Sequence, residues 1–361
     1  MKKILQLLLI TITLLGCTKK EALYVPDLLS VQRDNTKVSL VAVGDNLIHN
    51  SIYEAEERPF DFRHIYSDIK PFINEFDLAF INQETILGGT ELGLSGYPRF
   101  NSPKEIGDAI IDAGFNLFSI ANNHTLDKGE IGVINALDYL DGEDIIYSGA
   151  KHSDHESSVK VFSKKGIKFG FVAYTYGTNG LPHPDGKEYL ANVFSKEKAK
   201  EDIESVRDKV DIMIVSMHWG EQYQSQPNKN QVDEANYLSS LGVDIIIGHH
   251  PHVIQPIDII ETDGNKTIVI YSLGNFLSDQ IGIDRLIGMA VSLEIEKNVD
   301  GLKTDIQIDN LSAKLTYRYK NDKFKILFMS DISEDILDGY LIHYKEKKDL
   351  INFYLTNIDV S

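Results

Sequence analysis

Apolar residues cluster along this chain in short runs separated by longer mixed stretches. VSLVAV (38–43) is nearly continuous and predicts a strand buried on both faces. DLAFIN (77–82), FNLFSI (115–120), DIMIVSM (211–217) and VDIIIG (243–248) predict further strands. Between them, helical spacing predicts a helix over 61–76 with a break near Pro71, and others over about 128–140, 195–208 and 231–241. Ser102-Pro103-Lys104-Glu105 reads as a helix start, with a serine cap, proline at the first position and a glutamate three beyond the cap. That helix is expected to run to Ala113 and end at Gly114. VKVFS and IKFGFVAY flank Lys165-Gly166 as a hairpin, and TIVIYSLGNF is a strand running into a loop. Beyond it, 286–296 and 313–328 alternate like strands of an antiparallel layer, and 331–361 predicts a peripheral helical segment. The strand–helix–strand order indicates an α/β fold.

The strand ends add chemistry to this pattern. The five runs ending near Gly44, Ile81, Ile120, Met217 and Gly248 each lead directly into ligand-type residues. These are Asp45 with His49, Glu84, Asn123 with His124, His218, and the trio His249, His250 and His252. Six of the eleven histidines lie in these loops, where open α/β sheets build their sites. Carboxylate, amide oxygen and imidazole together suit Mn, Fe or Zn better than calcium. Their number exceeds what one tetrahedral zinc uses and suits two divalent ions sharing a carboxylate. His124 stands where a proton donor to a leaving group, or a donor to a developing oxyanion, would act. Each residue also has an ordinary reading: Asp45, Asn122 and Asn123 as caps or turn residues, Glu84 as a solvated loop residue, His218 and His249 as packed histidines. Glu221, Tyr223, His249 and Asn275 are candidates for the rim of the site.

Charge narrows the partners. Acidic residues outnumber basic ones 54 to 36, a net −18, which argues against nucleic acid. An acidic polymer would need cations or local arginines such as Arg63, Arg99 and Arg285 to offset that field. The opening MKKILQLLLITITLLGC has a basic start, a short apolar stretch and a cysteine at the place of a bacterial lipobox. Residues 1–16 are therefore expected to be a signal peptide and Cys17 a lipidation site, with a tether from there to residue 37. Cys17 is the only cysteine, so any metal site must use oxygen and imidazole.

GDNLIH, NQET, ANNHTLDKG, HWGEQY, IGHHPHVIQP and YSLGNF, in this order, resemble the CapA family of poly-gamma-glutamate synthesis proteins over about 38–280. The resemblance implies the calcineurin-like metallophosphoesterase superfamily and its four-layer α/β/β/α sandwich, here as one domain over 38–330. It implies a centre of two divalent metal ions held by Asp45, His49, Glu84, Asn123, His218, His250 and His252, with His124 close to the transferred group and Asn123 beside it. The chain departs from the superfamily pattern in three places. His49 lies four residues after Asp45 where an Asp-x-His pair is usual, Glu84 replaces a bridging aspartate, and His249 is extra. The function implied is that of a membrane-anchored envelope lipoprotein of capsule biosynthesis with a metal-dependent, hydrolase-like site for a phosphoester or a gamma-glutamyl amide. Its implied partners are poly-gamma-glutamate and membrane synthase components. The rival reading is a non-catalytic scaffold that holds the polymer or the synthase.

Overall fold

The computed structural model describes residues 33–300 and 303–361, so the expected signal peptide, Cys17 and the tether up to residue 32 lie outside the described residues. The chain builds one sheet, then a second, and then returns to complete the first. It begins with β1 (Arg33–Asn46), β2 (Leu78–Gln83), β3 (Leu117–Ser119) and β4 (Ile146–Ser148). The second sheet takes β5 (Lys160–Lys164), β6 (Ile167–Thr175), β7 (Ile212–His218), β8 (Ile245–His249), β9 (Ile257–Thr262) and β10 (Asn265–Ile270). The return supplies β11 (Asn275–Leu277), β12 (Ile287–Asp300), β13 (Lys303–Lys320), β14 (Phe324–Phe328) and β15 (Asp359–Val360). The first sheet runs in the order β14-β13-β12-β1-β2-β3-β4, with β11 beside β1 and β15 beside β13. The second runs β5-β6-β7-β8-β10-β9.

Alternation along the strands makes the layers. Leu40, Ala42, Leu78 and Phe80 face Phe169, Phe171, Ile214, Ile245 and Ile270 in a core between the sheets. Their neighbours Val41, Val43, Ala79 and Ile81 face the opposite way, onto helices that include Glu105–Asp112 and Gly129–Leu140. Val172, Val215, Ile246 and Val269 pack in the same manner under helices Lys196–Glu204 and Lys229–Ser240. Each such aliphatic side chain contributes about 1.5–3 kcal/mol by leaving water. The result is the expected α/β/β/α sandwich of metallophosphoesterase type, and its central strands have no polar face because both sides are covered.

Local chemistry explains most boundaries. Lys165 and Gly166 both take positive φ, 47° and 81°, which forms the tight turn of the expected β5–β6 hairpin. Asn228 and Gln231 form a reciprocal capping box at the start of Lys229–Ser240. Three expectations need correction. The helix over 61–76 is two single turns, Arg63–Tyr66 and Lys70–Ile73, because Pro71 starts a new turn. Ser102 caps nothing: its hydroxyl bonds Thr85 Oγ1 at 2.7 Å, and the helix begins at Glu105. β1 starts at Arg33, five residues before the apolar run, because β12 pairs with it from Arg33↔Asp300 onward. After β14, the helix Tyr340–Ile351 packs Tyr340, Tyr344, Leu350 and Ile351 against the core between the sheets, and β15 pairs with β13.

Candidate metal centre

β1, β2, β7 and β8 end on one side of the sandwich, and the backbones come unusually close there. A Cβ on Gly44 would sit 1.8 Å from the Gly274 carbonyl oxygen, and one on Gly248 would sit 2.1 Å from that of Tyr271. Glycine is required at both places so that the loops carrying Asp45 and His249–His252 can approach. Asp45 is fixed opposite Asn275 by the β1–β11 pairing. Around these loops a buried amide network holds the backbone. Asn46 Nδ2 donates to Gln83 Oε1 (2.7 Å), Asn122 Nδ2 to the Gln83 carbonyl (3.0 Å), and the His124 amide to Asn122 Oδ1 (2.9 Å). Asn122 is thus a structural residue.

Two groups of ligand-type side chains meet inside this frame. In one, Asp45 Oδ2 lies 3.1 Å from His252 Nδ1, while Asn82 Nδ2 donates to Asp45 Oδ1 at 2.8 Å. In the other, His218 Nε2 lies 3.0 Å from Asn123 Oδ1 and 3.1 Å from His250 Nδ1. The Asn123 amide is oriented by donation from its Nδ2 to Asn179 Oδ1 at 3.2 Å. Glu84 stands between the groups, its Oε1 3.7 Å from His252 Nε2 and 3.8 Å from His218 Nε2. Ligand atoms of Glu84, His250 and His252 lie within 4.8 Å of one another, the one such triad among the described residues.

The electrostatics are those of a cation site. Glu84 is fully buried, yet neither carboxylate oxygen has a hydrogen-bond partner. Lone pairs of Glu84, Asn123, His218, His250 and His252 thus converge with too few donors, and an unpaired buried carboxylate costs several kcal/mol. Burial pushes Glu84 well above the usual carboxylate range, and the Asp45 charge adds to this. Burial and the surrounding imidazoles hold His218 well below the usual histidine value, and burial with His252 takes His250 to about 3. Burial opposes the charge on His252 too, but Glu84 and Asp45 outweigh it and raise that ring to about 9. Asp45 goes the other way: the hydrogen bond and charge of His252 overcome burial and keep it low. His250 and His252 also hold left-handed backbone, φ 95° and 59°, at a cost of about 1–3 kcal/mol each. The residues present fit one or more divalent cations.

His124 borders the group. Its Nδ1 contacts Asp127 Oδ2 at 2.7 Å, so Nε2 is the nitrogen left for a substrate. Phe100 meets the ring edge-on at 4.7 Å, and its amide donates to the same Asp127 oxygen at 2.7 Å. Above lies a cleft of about 510 Å³ lined by His124, Asn123, Asp127, His250, Tyr176 and Arg99 among others. Tyr176 packs on His250 and is stacked with His218. Asp127 lies within ANNHTLDKG, where DKG reads as a turn and gives it no role of its own, and Tyr176 comes just after a strand with no motif around it.

Other candidates lie elsewhere. For His49, Nδ1 accepts the Asp279 amide at 3.1 Å and the ring faces Phe100. His249 is no rim residue. It is fully buried and stacked on Phe80 at 5.3 Å, and neither ring nitrogen has a hydrogen-bond partner. Asn275 is buried as well, its Oδ1 3.0 Å from His252 Nδ1, so it orients a histidine and does not face a substrate. Tyr223 is exposed at the edge with Arg285 over its ring at 4.2 Å, and Glu221 is exposed nearby.

The chain is similar to several known proteins. The chain is 28% identical over 265 residues to the capsule biosynthesis protein CapA of Bacillus anthracis, covering 69% of this chain and 61% of that protein. It is 31% identical over 205 residues to the PGA biosynthesis protein CapA of Bacillus subtilis (strain 168), covering 55% and 52%. It therefore spans between about half and three-fifths of these relatives' length. Among solved structures, an NAD nucleotidase of Haemophilus influenzae is similar with a TM-score of 0.47 at 12% identity, over 91% of this chain and 57% of that one. The model of the bacterial capsule synthesis protein PGA_cap matches residues 39–280, which hold every residue of the cluster, and the chain belongs to that family.

Proposed function

We propose that this is a metal-dependent hydrolase of capsule biosynthesis, held at the envelope by a lipid on Cys17. The observation that carries the reading is Glu84, a buried carboxylate with two unpartnered oxygens between two histidine groups. That arrangement supports two divalent ions, of the Mn, Fe or Zn kind, sharing Glu84. Asp45 and His252 would hold one, and Asn123, His218 and His250 the other. His49 is left out of both sets, since its Nδ1 is engaged by Asp279. When bound, such ions polarise the bond to be broken and lower the pKa of an attacking water.

The chain's own residues do the rest. Asp127 fixes His124 through Nδ1, so that Nε2 can deliver a proton to a leaving oxygen or nitrogen. Tyr176 and Phe100 wall the imidazoles from bulk water. The parts suit a phosphoester or a gamma-glutamyl amide equally, and the name of the Bacillus subtilis relative favours assaying the amide first. The basic start, apolar stretch and LLGC ending support the lipid anchor. Among the described residues no helix is long and apolar enough to cross a membrane.

The test is elemental analysis of protein purified without chelator, then assay on aryl phosphates and gamma-glutamyl oligomers. Stoichiometric metal with turnover of either substrate supports the hydrolase. Polymer binding that survives both metal removal and His250→Ala would establish the scaffold reading in its place.

A further inference from the structure

The cleft above the metal ligands holds a cation with nothing to bind. Arg99 lines it, together with His124 and Asp127. The other candidate arginines are engaged: Arg63 with Asp61 at 2.7 Å, and Arg285 over the Tyr223 ring. Arg318 lies 3.7 Å from Asp279. Among arginines whose side chains are described, only the Arg99 guanidinium has no ion pair, hydrogen bond or ring contact. Left unpaired in a chain of net charge −18, it lines a cleft that also carries Asp127.

Its position is tied to the reacting centre. Arg99 precedes Phe100, whose amide donates to Asp127 Oδ2, the oxygen that also contacts His124 Nδ1. The Phe100 ring packs on His124. One short stretch of chain thus fixes the backbone that carries Arg99 relative to the proton-donating imidazole. A guanidinium offers a planar fork of donors matched to two oxygens of a carboxylate or phosphate. A substrate anion needs such a local cation to enter against the field of this protein.

We infer that Arg99 is a specificity-determining residue that binds an oxyanion of the substrate adjacent to the bond being broken. This rests on the hydrolase reading for the site's chemistry but is tested through binding. The substrate class is a molecule with a second negative group beside the reacting one, either a carboxylate flanking an amide or a second phosphate flanking the first.

Two ligand pairs separate these sources in titration calorimetry on the manganese-loaded full chain. One pair is tri-gamma-glutamate and its alpha-carboxamide analogue; the other is pyrophosphate and orthophosphate. The wild type is expected to prefer the more highly charged member of one pair by about tenfold, the worth of one charge-assisted contact. Arg99→Gln should abolish that preference, and Arg99→Lys should keep part of it. The poorer ligand should bind all three proteins alike. Arg99 is exposed and unpartnered, so the variants should fold, which their melting curves check. Lack of preference in both pairs, or a preference that persists in Arg99→Gln, overturns the assignment. Turnover is read separately. Preference without turnover of any substrate refutes the hydrolase and leaves Arg99 standing, whereas turnover with an unaltered preference in Arg99→Gln refutes Arg99 alone.

Discussion

His218 and His250 face each other ring to ring, Nε2 of the first 3.1 Å from Nδ1 of the second, with both side chains buried. Two neutral imidazoles can share one proton in this contact, but Asn123 Oδ1 competes for it at 3.0 Å. A cation satisfies all three at once. Replacing His250 with Ala should lower metal affinity by more than about 100-fold, since even residues that only orient a ligand cost about 10–100-fold. Asn275→Ala, which leaves His252 Nδ1 with Asp45 as its remaining partner, should fall within that smaller range. Competition with a fluorescent chelator measures both. Equal affinity in His250→Ala and wild type would remove His250 from the ligand set.

His124 should act on the leaving group and not on the metal. His124→Ala is expected to retain wild-type metal content and lose about 10²–10⁴ in kcat on substrates with poor leaving groups. With a nitrophenolate leaving group, which departs without a proton, the loss should shrink to a few-fold. Asp127→Asn should show the same pattern more weakly, because it misorients the ring and leaves it in place. A leaving-group series for each variant decides the matter. A loss that is uniform across the series contradicts proton donation.

His249 offers a stability test inside the site region. It is stacked on Phe80, and its two ring nitrogens lack partners. His249→Phe keeps the stacking and removes the unpaired polar atoms, so it should stabilise the fold by about 1 kcal/mol with metal content unchanged. Urea unfolding reads the first quantity and elemental analysis the second. Loss of metal in this variant would mean that His249 supports Asp45, 3.8 Å away.

Asp244 should set part of the pH dependence of stability. Burial raises its pKa to about 6 from an ordinary 3.8, against the pull of Arg207 at 3.4 Å and of the Met213 amide. A carboxyl whose folded pKa is raised favours folding most below the unfolded value. That contribution is lost as pH rises through about 6. The cost at pH 8 is on the order of 2–3 kcal/mol before any discount for partial exposure. Asp244→Asn still accepts from Met213, so it should be more stable than wild type at pH 8 and equal to it near pH 4. Chemical denaturation at the two pH values checks the sign.

Much of the fold and of the cluster is legible in the sequence because the central strands are uniformly apolar. Runs such as VDIIIG leave no choice of face, so their ends, and the ligands after them, have to emerge together. The partner of His49 Nδ1 is not legible, because the sequence does not show that the Asp279 loop comes to it. His49 sits just before the helix Asn50–Glu54 and faces the Asp279 loop. In the sequence His249 reads like the histidines beside it, although its place in the β8 pairing sends it between the sheets. Ser102 matches a capping pattern, but tertiary contact with Thr85 takes its hydroxyl. Arg63 is held by Asp61, two residues before it, but the contact of Arg285 with Tyr223 depends on a distant neighbour that no local pattern encodes.

β1 is held on both flanks. It pairs with β2 on one side and, over ten residues from Arg33 to Ala42, with β12 on the other. Met289, Val291, Leu293, Ile295 and Leu315, all beyond residue 280, help to fill the space between the sheets. The stretch by which the family is recognised is therefore not a unit that can be excised. A protein cut after Asp279 would keep every ligand-bearing loop and lose the wall against which they are pressed. What those closing residues must supply is a long hairpin that seals the open flank of the first strand.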